Sequence, residues 1–186
     1  WIISPDGLTY TFFLRPEGKY WNGETVTASD FRDAWFRLID PEEQAEYSFM
    51  LDIIKGAYEY RNGESTDKEL VGIRAVGPLI LEVELKESAD YFLKILCHHS
   101  FAPVNPLNIE DGRWKSGPSA VGNGPFYLYS RTAETAVFRK NILYWDADKV
   151  KLDEIRVNFS DDAEKNTADF NRGVLHWAPS GVYLGN

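Results

Sequence analysis

Two different spacings of apolar residues divide the chain into predicted strands and predicted helices. Alternation with a period of two is typical of strands, and it recurs over residues 8–14, 71–76, 79–85, 126–130, 135–139 and 155–159. The second and third of these segments form a predicted hairpin around Gly77 and Pro78. Residues 1–3 are predicted to end one more strand, because the turn residues of positions 5–7 follow them directly.

Helical spacing begins most clearly after Thr27. Thr27 and Asp30 form a predicted capping box, and apolar residues follow at intervals of three and four until Pro41 stops the helix. A second apolar stripe predicts a helix over residues 45–60, closed by Asn62 and Gly63. Shorter helices are predicted over residues 90–97 and from a cap at residues 160–161 to about residue 171, while residues 105–114 are expected to be irregular or weakly helical.

The last three predicted elements form a βαβ unit that ends in a second strand at residues 174–178. Its two strands are expected to be parallel, because a crossover helix returns the chain along the sheet. In open α/β sheets, ligands gather beyond the C-terminal ends of the strands. The segment Ala178, Pro179, Ser180 and Gly181 is therefore expected to face a ligand cleft, and a plain surface turn is the alternative.

Composition describes a folded chain rather than a disordered one. With 186 residues, 44% of them hydrophobic and 15% aromatic, the chain is long enough for one sizeable core or for two small lobes. A net charge of −9 argues against nucleic acid as a partner, because phosphate attraction supplies most of that affinity. The chain begins at Trp1 without a start methionine or a signal region, so we expect a fragment that is incomplete at both ends.

The candidates for catalytic or metal chemistry are few. His98 and His99 are adjacent, so both imidazoles cannot easily hold one metal ion, and a helix end is the simpler interpretation. Cys97, the only cysteine, excludes an internal disulfide and is predicted to lie in the core. Acidic pairs such as Glu42 and Glu43 fall in predicted turns and helix starts, where acids are common. We therefore expect no catalytic residue, no metal site and no cofactor.

Aromatic residues leave a binding module open as an alternative. Six tryptophans are enough for a carbohydrate-binding surface, on which exposed rings stack against sugars. Trp35 lies on the apolar stripe of the first long helix and is predicted to be core. Trp21 and Trp145 lie beside turns and are predicted to cover the core.

Three segments together resemble the substrate-binding proteins of bacterial oligopeptide and dipeptide ABC importers, the extracellular solute-binding protein family 5. They are LRPEGKYWNGETVTASDF at residues 14–31, GNGPFYL at residues 122–128, and RKNILYWDADKVKLDEI at residues 139–155. Their order and spacing make the resemblance specific, and it covers almost the whole chain.

The resemblance implies a fold, a function and a place of action. It implies a mixed α/β fold, the periplasmic-binding-protein type II-like lobe with a mixed sheet and flanking helices. Residues 1–121 would form mainly the outer subdomain of the first lobe and residues 122–186 part of the inner one, with the second lobe absent. The protein would capture peptides outside the cytoplasmic membrane, in the periplasm or anchored by lipid at the cell surface, and deliver them to an ABC permease.

The same resemblance assigns a second ligand contact. Tyr47 matches a position where related proteins present an aromatic side chain toward the cleft, and packing between helices is the alternative. At residues 178–181, Ser180 and Gly181 replace the asparagine of related loops, so peptide specificity does not carry over. Nickel or a sugar-like solute stays open as the ligand within this family, and a hydrolase is the remaining alternative outside it.

Overall fold

Two antiparallel sheets organise the computed structural model, which describes residues 1–110, 117 and 119–178. The first sheet has the order β1-β2-β4-β3, with β1 Ile2–Ile3, β2 Thr9–Phe13, β3 Ile73–Gly77 and β4 Ile80–Glu84. The second has the order β5-β6-β7, with β5 Phe126–Arg131, β6 Thr135–Lys140 and β7 Glu154–Asn158. The α-helices are α1 Ala28–Leu38, α2 Ala57–Arg61, α3 Phe92–Ile95, α4 Pro106–Glu110 and α5 Ala163–Asn171. Short 3-10 helices lie at Ser48–Leu51, Lys68–Leu70, His99–Phe101 and Ala147–Lys149.

Helix α1 begins at the predicted capping box. The Thr27 hydroxyl accepts the Asp30 backbone N–H at 3.4 Å, and the Asp30 carboxylate accepts the Thr27 backbone N–H at 2.8 Å. The two bonds satisfy backbone donors that a helix start leaves without partners inside the helix. The helix then packs its buried face, which includes Trp35 and Phe36, against β3 and β4. The predicted start and the predicted core position of Trp35 are both confirmed.

The first sheet and α1 enclose the main core. Alternation along β4 buries Leu81 and Val83, as the period of two requires. Phe92 of α3 is fully buried and meets Tyr10 of β2 edge to face, with the ring centroids 4.9 Å apart. The predicted hairpin is confirmed, since β3 and β4 pair in antiparallel register around residues 78–79.

The prediction of one helix over residues 45–60 is wrong. The chain forms a 3-10 helix and then turns that join the first sheet through one isolated bridge. The Lys55 N–H donates to the Glu84 carbonyl, and the Gly72 N–H donates to the Lys55 carbonyl. Gly56 then adopts a left-handed backbone, with φ at +72°, and α2 starts after it. The apolar stripe is buried as predicted at Ile53 and Ile54, but a sheet contact rather than a helix buries it.

The second sheet is largely uncovered in the described residues. Its three strands were correctly predicted, but β7 has no fully buried residue, and Val157 and Phe159 are exposed. Together with Leu128, Ala136, Phe138 and Arg131 they line an open apolar groove of about 220 Å³. The alternation of β7 therefore marks a face for which the described residues supply no covering layer.

The turn at residues 21–23 joins the two sheets. The Trp21 indole N–H donates to the Ala120 carbonyl at 2.9 Å, and the Trp21 backbone N–H donates to the Gly122 carbonyl, also at 2.9 Å. Its ring stacks on Tyr127 of β5 at 5.4 Å between centroids. The Tyr20 hydroxyl next to this turn is buried, and burial, followed by the nearby Asp30 carboxylate, raises the pKa of that phenol.

The predicted strand at residues 174–178 is not formed. Helix α5 ends at Asn171, and the backbone N–H groups of Val174 and Leu175 both bond back to the Asp169 carbonyl, at 2.8 and 3.2 Å. These bonds close the helix end and keep the chain from running out beside β7. Every strand pair among the described residues is antiparallel, so the predicted βαβ unit is wrong as far as residue 178.

The cap of α5 also differs from its prediction. The N-cap is Asp162, whose carboxylate accepts the Lys165 N–H at 2.9 Å, rather than Ser160 or Asp161. Across the described part of the chain, each helix is too short or too polar to cross a lipid bilayer.

Candidate ligand-contact site

Three rings meet on the surface beside the main core: Tyr47, His98 and His99, here called the aromatic cluster. The Tyr47 centroid lies 4.6 Å from that of His98 and 5.9 Å from that of His99. The two imidazole centroids are 4.1 Å apart. Tyr47 and His98 are half-buried and His99 is exposed, so one part of the cluster packs against the protein and the other part faces solvent.

A buried leucine fixes the position of Tyr47. Tyr47 is the N-cap residue of the 3-10 helix Ser48–Leu51, and its carbonyl accepts the Met50 N–H at 3.1 Å. Leu51, at the end of that turn, is fully buried in the main core. The local fold thus holds the backbone of Tyr47 at the edge of the core and leaves its ring at the surface.

Hydrogen bonds and a buried phenylalanine fix the position of the segment that carries the two histidines. The His98 Nδ1 atom accepts the Ser100 N–H at 3.3 Å and caps the 3-10 helix His99–Phe101. Phe101 is buried, and its carbonyl accepts the Trp35 indole N–H at 3.1 Å while the two rings meet edge to face. Helix α1 therefore holds the segment that carries both imidazoles.

The cluster offers both hydrogen-bonding groups and apolar ring faces. Because His98 Nδ1 accepts a hydrogen bond, the neutral ring carries its proton on Nε2 and can donate from there. The phenol of Tyr47 can donate and accept, and the ring faces offer apolar surface. No group of three potential metal ligands occurs among the described residues. The arrangement matches a surface that contacts a mixed polar and apolar ligand.

The predicted loop site is described only in part. Ala178 is half-buried beyond the end of α5, while Pro179, Ser180 and Gly181 lie outside the described residues. The ring contacts of Tyr47 are to the two histidines, and Ala178 takes no part in them. Because the strand pairs of the described residues are all antiparallel, no parallel strand ends place this loop at a cleft, and only the resemblance still points to it.

Cys97 is exposed, which contradicts the prediction that it lies in the core. Helix α3 ends at Ile95, so Cys97 falls in the turn that follows, while Phe92 takes the core position of this segment. Its thiol has a weak contact of 3.6 Å with the Leu93 carbonyl.

The tryptophans divide between scaffold and surface. Trp35 is buried, and Trp21 is held between the sheets. Trp145 is partly exposed, but the guanidinium of Arg15 lies 3.9 Å from its ring centroid and covers one face. Trp1 and Trp177 are exposed. Trp35, Trp21 and one face of Trp145 thus pack within the fold. Less aromatic surface is left for the carbohydrate-binding alternative.

Sequence reasoning missed the link between Tyr47 and the histidine pair. It weighed His98 and His99 as metal ligands or as a helix end, whereas His98 caps the start of a 3-10 helix. Nothing in the local pattern connects residues that lie about fifty positions apart. The one available signal is the pairing of two adjacent imidazoles with a surface tyrosine, and it becomes visible only in the folded chain.

Comparison with known proteins gives consistent matches along the chain. The family model described as bacterial extracellular solute-binding proteins, family 5 Middle, matches residues 1–184. The oligopeptide-binding protein OppA of Bacillus subtilis is 35% identical over 186 residues, which cover 98% of this chain and 34% of OppA. The dipeptide-binding protein DppE of the same organism is 34% identical over 96% of this chain and 33% of its own length.

Solved structures give the same result. The substrate-binding domain of an oligopeptide ABC transporter from Bacillus anthracis superposes with a TM-score of 0.88 and 37% identity, over 94% of this chain and 34% of that one. Listeria monocytogenes OppA bound to peptide gives 0.87 and 32%, over 94% of this chain and 35% of that one. The chain spans about a third of the length of these relatives. The predicted fold class, a lobe of the periplasmic-binding-protein kind with helices flanking its sheets, is confirmed by these superpositions.

Proposed function

Because the chain belongs to family 5 of the bacterial extracellular solute-binding proteins, we propose that it is part of the substrate-binding component of an ABC-type peptide importer. In this role the whole protein captures oligopeptides or dipeptides outside the cytoplasmic membrane and delivers them to a permease in that membrane. The observation that carries the proposal is the match along almost the entire chain to relatives whose names state oligopeptide or dipeptide binding.

The two sheets belong to different subdomains of the first lobe. Residues 1–121, with the four-stranded sheet and α1, form mainly its outer subdomain, and residues 122–186, with the three-stranded sheet, form part of its inner subdomain. The contacts of Trp21 with Ala120, Gly122 and Tyr127 lie where the two parts meet and support a boundary there.

The peptide contacts lie on Tyr47 and on residues 178–181. The half-buried ring of Tyr47 supports its part of the proposal, since it is fixed by Leu51 and by the histidine pair yet reaches the surface. A second lobe completes the enclosure of the peptide. The role is binding without catalysis, which fits a cluster that offers hydrogen-bonding edges and apolar faces but no activated nucleophile.

Isothermal titration of the whole natural protein with peptides of two to five residues tests the proposal. We expect micromolar or tighter binding, and a Kd raised about tenfold by Tyr47→Ala, which corresponds to about 1.4 kcal/mol. Tyr58→Ala is the matched control, because Tyr58 is also a partly exposed tyrosine but lies on α2, outside the aromatic cluster. Its Kd should equal that of the wild type.

Two results would overturn the proposal. Absence of peptide binding together with binding of Ni²⁺ or of a disaccharide would assign the protein to another ligand. Equal losses of affinity in Tyr47→Ala and Tyr58→Ala would remove Tyr47 from the site. Protease treatment of intact cells tests the place of action, since an extracytoplasmic protein is digested while cytoplasmic proteins survive.

A further inference from the structure

One edge of the four-stranded sheet lies beside a cleft that the proposed peptide contacts do not use. In the order β1-β2-β4-β3, strand β3 has a paired neighbour on one side only. A cleft of about 480 Å³ lies between this strand, helix α1 and the 3-10 helix Lys68–Leu70, and it is here called the β3 groove. A volume of this size lies within the range of protein ligand pockets.

The β3 groove follows the edge of the strand rather than one face of the sheet. Four consecutive residues of β3 line it, from Ile73 to Val76. Because successive side chains of a strand point to opposite faces, a cleft on one face would meet every second residue. A cleft that meets four residues in a row therefore runs beside the backbone, where an added strand would lie.

The backbone of β3 directs one acceptor and one donor toward this edge. The Gly72 carbonyl accepts the Glu84 N–H of β4 at 2.8 Å. In an antiparallel ladder every second residue bonds to the same partner strand, so Gly72 and Arg74 bond toward β4. Ile73 and Ala75 direct their backbone groups the other way. The Ile73 N–H already has a local bond, which leaves the Ile73 carbonyl and the Ala75 N–H for a new partner.

A bulge limits the length of the open edge. The register of β3 against β4 shifts between Ala75 and Gly77, and the side chain of Val76 is 56% exposed. A bulge twists an edge away from further pairing. The edge can therefore pair over residues 73–75, and a strand added there needs side-chain contacts as well as backbone bonds.

Lys68 supplies a charge for such a side-chain contact. Its ammonium nitrogen lies 5.3 Å from the centroid of the Phe36 ring, and it forms no ion pair among the described residues. The two arginines of the groove are already paired with carboxylates of this chain. The charged residues that line the groove are the cations Arg32, Lys68 and Arg74 and the acids Asp33 and Glu69. The local excess is positive although the chain carries a net charge of −9, so the groove favours an acidic ligand.

We propose that the β3 groove is a second binding site, in which an extended acidic segment of a partner protein adds to the edge of β3 and pairs a carboxylate with Lys68. In this mode of recognition, backbone bonds to the edge strand give affinity and side-chain contacts give specificity. The site is separate from the proposed peptide contacts, since its lining residues include neither the aromatic cluster nor residues 178–181.

Fluorescence anisotropy with the whole natural protein tests the inference. The probe is a labelled nine-residue peptide of alternating valine and glutamate with both ends blocked, and a valine–lysine peptide is its counterpart. We expect the glutamate peptide to bind at least about tenfold more tightly than the lysine peptide. Its Kd should stay the same when a saturating pool of uncharged tripeptides is added. Equal or absent binding of the two peptides, or a Kd that rises with the tripeptide pool, would overturn the inference without affecting the proposed function.

Variants of Lys68 test the contact that the inference names. Lys68→Glu should raise the Kd of the glutamate peptide at least about tenfold, whereas Lys68→Arg keeps the charge and should retain binding. Lys151→Glu is the matched control, because Lys151 is an exposed lysine outside the groove and the change in charge is the same. Equal losses in Lys68→Glu and Lys151→Glu would show an effect of net charge alone and would overturn the assignment.

Hydrogen exchange at single amides tests the addition of a strand. The Ala75 amide should exchange at least about tenfold more slowly when the glutamate peptide is bound, because its N–H gains a hydrogen bond. The Arg74 amide, which faces β4, should change less. Binding that leaves exchange at Ala75 unchanged would contradict strand addition and overturn the inference.

Discussion

The four-stranded and three-stranded sheets share one sequence pattern but differ in what that pattern achieves. In β4, alternation buries Leu81 and Val83 under α1 and the surrounding helices. In β7 and the residue after it, the same alternation leaves Val157 and Phe159 exposed. The described residues place a helix layer over the first sheet and leave an apolar groove open on the second. Alternation thus reports a face that is suited to burial, and only the layer above decides whether it is buried.

The largest expected effect is the difference in lost stability between two phenylalanine-to-alanine variants, one at each sheet. Phe92→Ala removes a side chain with 0% exposure, so we expect about 3–5 kcal/mol of lost stability from transfer and cavity terms. Phe159→Ala removes one that is 44% exposed, and we expect a loss below about 1.5 kcal/mol. Urea denaturation of the 186-residue chain checks both values.

The same pair in the whole natural protein sharpens the comparison. If further segments cover the second sheet there, the loss caused by Phe159→Ala should approach that of Phe92→Ala. Equal losses in the 186-residue chain would contradict the contrast between the two sheets.

The elements that the sequence predicted correctly are those determined by neighbouring residues. The capping box of Thr27 and Asp30 and the alternation of β4 are local, and both are found as expected. The helix over residues 45–60 failed because Lys55 bonds with Glu84 and Gly72, which are distant in sequence. The strand predicted at residues 174–178 does not form, because the N–H groups of Val174 and Leu175 donate to the Asp169 carbonyl at the end of α5.

The candidate site shows the same limit. Tyr47 was found by resemblance, but its ring partners lie about fifty positions away and were weighed as metal ligands or as a helix end. The exposure of Cys97 follows from the early end of α3, which no local signal marked. Contacts made across the fold therefore account for most of what sequence reasoning missed.

A pair of glycines gives the next largest effect. Gly56 has φ at +72°, and a Cβ there would lie 2.4 Å from the Leu70 carbonyl oxygen. We expect Gly56→Ala to cost about 2–4 kcal/mol from backbone strain and the clash together. Gly173, in the other region, has φ at +75° but nothing within 4 Å of that Cβ, so Gly173→Ala should cost about 1 kcal/mol. Thermal unfolding of both variants measures the difference, and equal costs would show that the Leu70 contact is not rigid.

The smallest effect concerns acid stability of the first sheet. Lys55, followed by Arg74, holds the pKa of the Glu84 carboxyl below its usual range. A lowered folded-state pKa stabilises the fold above the unfolded value of 4.5, and this contribution is lost as the pH falls through the folded value. Glu84→Gln should therefore be less stable than the wild type at pH 7, by less than about 1 kcal/mol because the cations are partly exposed. The difference should vanish in acid and shrink in 1 M salt, and a difference that grew below pH 4 would contradict this assignment.

Calorimetric titration of the whole natural protein and of the isolated 186 residues, with the same pool of two- to five-residue peptides, tests the central claim most directly. The claim is that this chain is one part of a two-lobed peptide receptor, with Tyr47 in its ligand cleft. We expect micromolar or tighter binding by the whole protein and its loss in the isolated chain. Absence of peptide binding by the whole protein, or equally tight binding by the isolated chain, would contradict it.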